Sequence, residues 1–195
     1  MENILGSILS QIDNNALKTI SRQANTTPAK AKSALTSAIP ALMHAMAKNS
    51  STKEGADALQ KAVKKDHDGS LLDNLGEFLN NPGSVNGEGI LKHVLGNKRQ
   101  NVEKYISKGS GLDNSSTAKI LEMAAPIVMG YLGKKNAGGG GIGDLLDSYL
   151  KTEKKHTQKS QSVLNQILDR DGDGDVIDDI AEIGTSFLGR MLRRK

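Results

Sequence analysis

Between positions 169 and 179 the chain reads Asp-Arg-Asp-Gly-Asp-Gly-Asp-Val-Ile-Asp-Asp, which places six carboxylates within eleven residues. At neutral pH such a cluster repels itself, and a hard divalent cation relieves the repulsion. Calcium takes six to eight oxygen ligands. An EF-hand-type loop offers them from positions 1, 3 and 5, turns on a glycine at position 6 and adds a main-chain carbonyl at 7. With Asp169 as the first position, Asp171 and Asp173 take the third and fifth, Gly174 the sixth, the Asp175 carbonyl the seventh and Val176 the apolar eighth. The twelfth position, where a bidentate glutamate belongs, holds Ile180.

Two closures are open. A shortened loop ends on Asp178 or, as a second choice, Asp179. A register slid by two uses Asp171, Asp173, Asp175, Asp179 and Glu182, but puts Val176 where glycine is needed. The shortened loop is favoured, so the expected ligands are Asp169, Asp171, Asp173, Asp175 and Asp178. The expected cofactor is Ca2+, with Mg2+ as the other hard cation. Helix capping accounts for one or two aspartates ahead of a helix, not for a D-x-D-x-D-G array.

Other chemistry is sparse. Cysteine is absent, which excludes disulfides, thiolate metal sites and cysteine nucleophiles. The histidines, His44, His67, His93 and His156, are scattered, and no serine or threonine lies in a nucleophile elbow. The expected class of function is therefore non-enzymatic. The alternative is DNA binding, since Leu17 to Lys32 has the cadence of a helix-turn-helix in which Ala29, Lys30 and Lys32 start the second helix. A plain helical hairpin is preferred to it, and nucleic acid is not an expected partner. The reason is that a second, related segment from Glu103 to Ala118 keeps the apolar spacing but carries Ser115, Ser116 and Ala118 at those places. A protein partner or self-association is compatible with the sequence.

The elements that position these residues read as helices. Ile4, Leu5, Ile8, Leu9, Ile12, Leu17 and Ile20 recur at helical spacing with a break near Asp13-Asn14-Asn15, predicting two short helices. Thr27-Pro28 is a helix start, and the run beyond it contains Pro40, which predicts a kink or a division. A polar helix over 52–65, a turn at Asp66-His67-Asp68-Gly69 and a helix from Leu71 to Leu79 follow, ended by Asn81-Pro82-Gly83.

The chain then repeats itself at a spacing of 86. Residues 4–48 and 90–134 share 12 identities in 45 positions without a gap, including Ile20-Ser21 with Ile106-Ser107 and Pro40 with Pro126. The expected organisation is a first helical unit over 1–85, a second over 86–150, and a linker with a helix-loop-helix over 151–195. Gly69-Ser70-Leu71-Leu72-Asp73, Gly143-Asp144-Leu145-Leu146-Asp147 and Gly174-Asp175-Val176-Ile177-Asp178 share one pattern, each expected to begin a helix. Asp66, Asp68 and Asp73 align with Asp171, Asp173 and Asp178, but Lys64 replaces Asp169, so the first copy is at best a weak ion site. The glycines 138–141 read as a linker, without the Gly-Lys-Ser/Thr ending of a phosphate loop.

With 3% aromatic residues and no tryptophan, the expected class is all-α. The net charge is +4, with Arg190, Arg193, Arg194 and Lys195 concentrated at the end, where they complement the negative end of a last helix. The start lacks a basic, apolar secretory leader and no apolar run approaches 18 residues, so the cytoplasm is the expected compartment.

The Ile-Leu-x-x-Ile-Leu start, the paired units with a proline in the long helix, and the ending Leu168-Asp169-Arg170-Asp171-Gly172-Asp173-Gly174-Asp175-Val176 resemble a bacterial domain-of-unknown-function family, number nine-three-seven, related to YidB-like proteins. The resemblance covers most of the chain. It implies an all-α fold, and no activity or ligand set beyond the acidic loop.

Overall fold

The structure, a computed structural model, describes residues 4–137 and 141–156. All regular structure among them is helical. Three helices open the chain: α1 (Ile4–Gln11), α2 (Asn14–Gln23) and α3 (Pro28–Asn49). The Asp13 carboxylate accepts the Ala16 N–H at 2.7 Å and so starts α2. Thr27 does the same for α3, its hydroxyl accepting the Lys30 N–H at 3.3 Å ahead of Pro28. Pro40 does not divide α3, which is one continuous helix. Proline removes a single donor, and the carbonyl it releases belongs to Thr36, an exposed residue within reach of water.

Next come α4 (Lys53–Asp66), α5 (Ser70–Asp73) and α6 (Leu75–Asn80), then a short 3-10 turn over Pro82–Ser84. The single helix expected from Leu71 to Leu79 is two. They part at Asn74, which leaves helical geometry at φ −120, ψ 33. The remaining helices are α7 (Gly87–Leu95), α8 (Arg99–Ser110), α9 (Asn114–Asn136) and α10 (Ile142–His156). Gly69 stands immediately before α5, as its pattern predicts, whereas Gly143 lies one residue inside α10. α10 also continues through Lys151 to His156, into the segment expected to be a linker.

α9 is the hub. Every residue from Met123 to Gly133 is buried, and α1, α2, α3, α4, α5, α7 and α8 all pack against it. A helical stretch that is buried all round belongs in the middle of a fold, and Met123 to Gly133 is such a stretch. α3 lies alongside it, burying Ala31, Ala34, Leu35, Ala38, Ile39, Leu42, Met43 and Met46. The many alanines permit close helix approach, while Leu, Ile and Met fill the remaining volume. α10 adds Ile142, Leu146 and Tyr149 to the same core, against α3 and α4. No described helix is long and apolar enough to cross a membrane.

Candidate functional site

The expected cation ligands, Asp169, Asp171, Asp173, Asp175 and Asp178, lie outside the described residues, as do Asp179 and Glu182. Their first-copy counterparts are described. At the joint between α4 and α5, Asp66, Asp68 and Asp73 do not converge. Asp68 Oδ1 accepts the Ser70 N–H at 3.0 Å just ahead of α5, and hydrogen bonding from the Ser70 side chain, then from its N–H, lowers the carboxylate's pKa below the usual value. Asp73 Oδ1 accepts from Lys134 Nζ at 2.7 Å, tying α5 to the end of α9. Both partners of that pair are more than half exposed, so it contributes little stability. Among the described residues no three His, Asp or Glu side chains are gathered to hold an ion.

Backbone geometry packs the joint closely. Gly69 has φ +106, in the region open to glycine. Gly133 of α9 passes so close beneath that a Cβ there would overlap the His67 carbonyl oxygen. The half-buried His67 ring has its pKa lowered by desolvation, against the opposing pull of Asp66 and Asp68.

A second candidate is the α2–α3 joint. Thr26 N–H donates to the Ser21 carbonyl at 2.8 Å and Asn25 takes φ +52, the left-handed residue of a Schellman-type helix end. Ala16, Ile20, Ser21 and Ala24 face inward from α2, and Ala31, Ala34 and Leu35 from α3. Lys18 and Arg22 on α2 are exposed, as are Ala29, Lys30, Lys32, Ser33 and Thr36 on α3. Lys30 Nζ donates to the Gly111 carbonyl at 2.8 Å, so the α8–α9 joint stands beside the start of α3.

Sequence reading did not reveal the charged cluster around Arg99. Its Nε donates to Glu103 Oε1 at 2.7 Å on α8 and its Nη2 to Glu122 Oε1 at 2.8 Å on α9, with Glu88 of α7 at 3.9 Å from Nη1. Burial disfavours the guanidinium charge, and the bonds to Glu103 and Glu122 outweigh that, raising its pKa. The i,i+4 spacing of Arg99 and Glu103 was a visible signal; Glu122, 23 residues away, gave none. Glu88 and Glu122 also line a cleft of ≈ 460 Å³ between α2, α7 and α9, beside Gln23, Asn86 and Lys119.

The fold and these joints define an all-helical protein, built from short capped helices around two long ones. The family model described as "Bacterial protein of unknown function (DUF937)" matches residues 6–135, which span α1 through nearly all of α9, and the chain belongs to that family. No match was found among curated proteins or among solved structures.

Proposed function

We propose that the chain is a non-enzymatic helical protein that carries one EF-hand-like site for Ca2+, with Mg2+ as competitor, and uses it structurally. The single observation that carries the reading is the Asp169-x-Asp171-x-Asp173-Gly174 array followed by Asp175 and Asp178. The α4–α5 joint supports it by contrast. There, with lysine at position 64, Asp68 bonds Ser70 and Asp73 bonds Lys134, so both carboxylates have partners within the chain. Three carboxylates arrayed ahead of the same glycine-to-aspartate pattern at 169–173 need another partner. A cation bound only by the folded form would stabilise it by about 2.7 kcal/mol when free ion is a hundredfold above Kd.

The site belongs, in this reading, to the last segment of an internally duplicated chain, with units over 1–85 and 86–150. The two inter-helix joints support the duplication. Ser107 accepts from Leu112 N–H at 3.2 Å and Gly111 has φ +67, matching Ser21, Thr26 and Asn25 each at a spacing of 86.

The test is calorimetric titration of the metal-stripped full chain with Ca2+ and with Mg2+, alongside thermal melting. Saturable binding and a calcium-dependent rise in Tm are expected, and Asp171→Asn with Asp173→Asn, common to both registers, removes both. Absence of heat at millimolar calcium rejects the site. Loss of affinity in Asp178→Ala but not in Glu182→Ala selects the shortened loop.

A further inference from the structure

From Asn14 to Lys53 the chain has no aspartate or glutamate and six basic residues, Lys18, Arg22, Lys30, Lys32, Lys48 and Lys53. Over 54–122 acids and bases are interspersed, so this forty-residue stretch is a local exclusion of negative charge rather than a reflection of the +4 total. The fold turns it into a surface. α2 and α3 meet at a tight joint whose inner side is filled by small residues, Ser21, Ala24, Ala31 and Ala34, and whose outer side carries four of the six cations.

On α3 the exposed positions Ala29, Lys32, Ser33 and Thr36 stand at i, i+3, i+4 and i+7, forming a single stripe along the first turns of the helix. On α2, Lys18 and Arg22 are four residues apart, one turn of helix. The hydrogen bonds that these cations make go to neutral acceptors. Arg22 Nη2 reaches Asn80 Oδ1 at 3.3 Å and Lys30 Nζ reaches the Gly111 carbonyl, so neither charge is cancelled there. Two carboxylates near the joint, Asp13 ahead of α2 and Asp113 ahead of α9, are turned onto their own helix starts. Asp13 holds the Ala16 N–H, and Asp113 holds the N–H and hydroxyl of Ser116.

What such a surface fits follows from its chemistry. It is positive, narrow and made of small or polar side chains, with no large apolar residue to enter acyl chains, which disfavours a lipid surface. A helix pair in which the first carries cations and the second presents a bare, polar N-terminal stripe is the arrangement that docks on duplex DNA. The first helix crosses the phosphate backbone and the second enters the major groove. Lys104 and Lys108 on α8 repeat Lys18 and Arg22 at a spacing of 86, and the Ser115, Ser116 and Ala118 that stand in place of Ala29, Lys30 and Lys32 on α9 do not count against this. That joint stands beside α3, and its helix is enclosed by the core from Met123 onward.

We infer that the α2–α3 pair is a helix-turn-helix surface for double-stranded DNA. Lys18, Arg22 and Lys32 meet phosphates, Lys30 leaves the Gly111 carbonyl for a phosphate, and Ser33 and Thr36 face the groove. This is independent of the proposed cation site.

The experiment is fluorescence anisotropy of a labelled mixed-sequence duplex of about 25 base pairs with the full chain, in calcium-free buffer, at increasing salt. Four phosphate contacts predict a slope of log affinity on log salt of roughly −3 to −4. Arg22→Gln with Lys32→Gln should weaken binding about tenfold or more at low salt and flatten the slope by roughly 2. Two controls, Lys61→Gln with Lys64→Gln on α4 and Arg193→Gln with Arg194→Gln near the chain end, should retain the parent slope. No anisotropy change at low salt overturns the inference. So does equal weakening by either control pair, or tighter binding to anionic vesicles or single-stranded RNA than to the duplex.

Discussion

Gly87 lies directly against the Glu122 carbonyl, so that a Cβ at position 87 would overlap that oxygen. The carbonyl in question is the one that Pro126, four residues on in α9, cannot serve, since proline has no N–H to donate. The first residue of α7 thus closes over the gap that the interior proline opens in the central helix. Gly87→Ala should force the two backbones apart and destabilise the protein by about 1–3 kcal/mol in urea unfolding, the usual cost of overpacking a closed site. Gly83→Ala, where a Cβ meets nothing within 4 Å, serves as the neutral comparison. Equal midpoints for the two variants would show that α7 does not seat on α9 through Gly87.

His67 gives the molecule a pH dependence of definite sign. Desolvation lowers its pKa from the ordinary 6.5, so the unfolded chain binds the proton more readily than the folded one. The stability this neutral ring contributes is complete above pH 6.5 and is lost as pH falls from there through the folded-state pKa. Asp68 and Asp113 also have lowered pKa values, but carboxylates lose their contribution only on falling below about pH 4, a separate window. Urea midpoints measured at pH 7.5 and 5.5 should therefore decline for the parent chain and stay level for His67→Gln. A parallel decline in both would locate the titrating group elsewhere.

Much of the local structure was legible in the sequence because it depends on neighbours in the chain. The break at Asp13 and the Thr27-Pro28 start each rest on contacts within one turn, and α2 and α3 begin where those residues place them. Asn25 and Gly111 went unread although their signal is local too: asparagine and glycine are the residues that tolerate the left-handed end of a helix, and both do so. What was not legible depends on which helices touch. Nothing near Gly133 in the chain says that it must pass under His67, nor does the sequence around Glu122 name Gly87 or Arg99. Pro40 was misjudged as a possible division because its local cost was visible while the packing of α3 along α9 was not. The acidic array at 169–178 remains legible chemically, lying outside the described residues.

Arg99 is where three helices exchange charge, and burial separates it from the ordinary surface pairs of this protein. Its side chain is 22% exposed and that of Glu103 16%, whereas Lys53 and Asp57 are 87% and 72% exposed. Water and salt screen the second pair almost completely, while the first sits where effective dielectric is lower. Glu122, at 38%, lies between these cases and counts for less than Glu103. Arg99→Met should cost about 1–3 kcal/mol, chiefly because Glu103 is left partly buried without its donor. Adding Glu103→Gln should recover part of that loss, giving a coupling on the order of 1 kcal/mol in a double-mutant cycle. The same cycle on Lys53 and Asp57 should give no measurable coupling at 0.5 M salt. Strictly additive losses for Arg99 and Glu103 would mean that α8 and α9 are joined by their apolar faces alone, with the guanidinium a passenger at their edge.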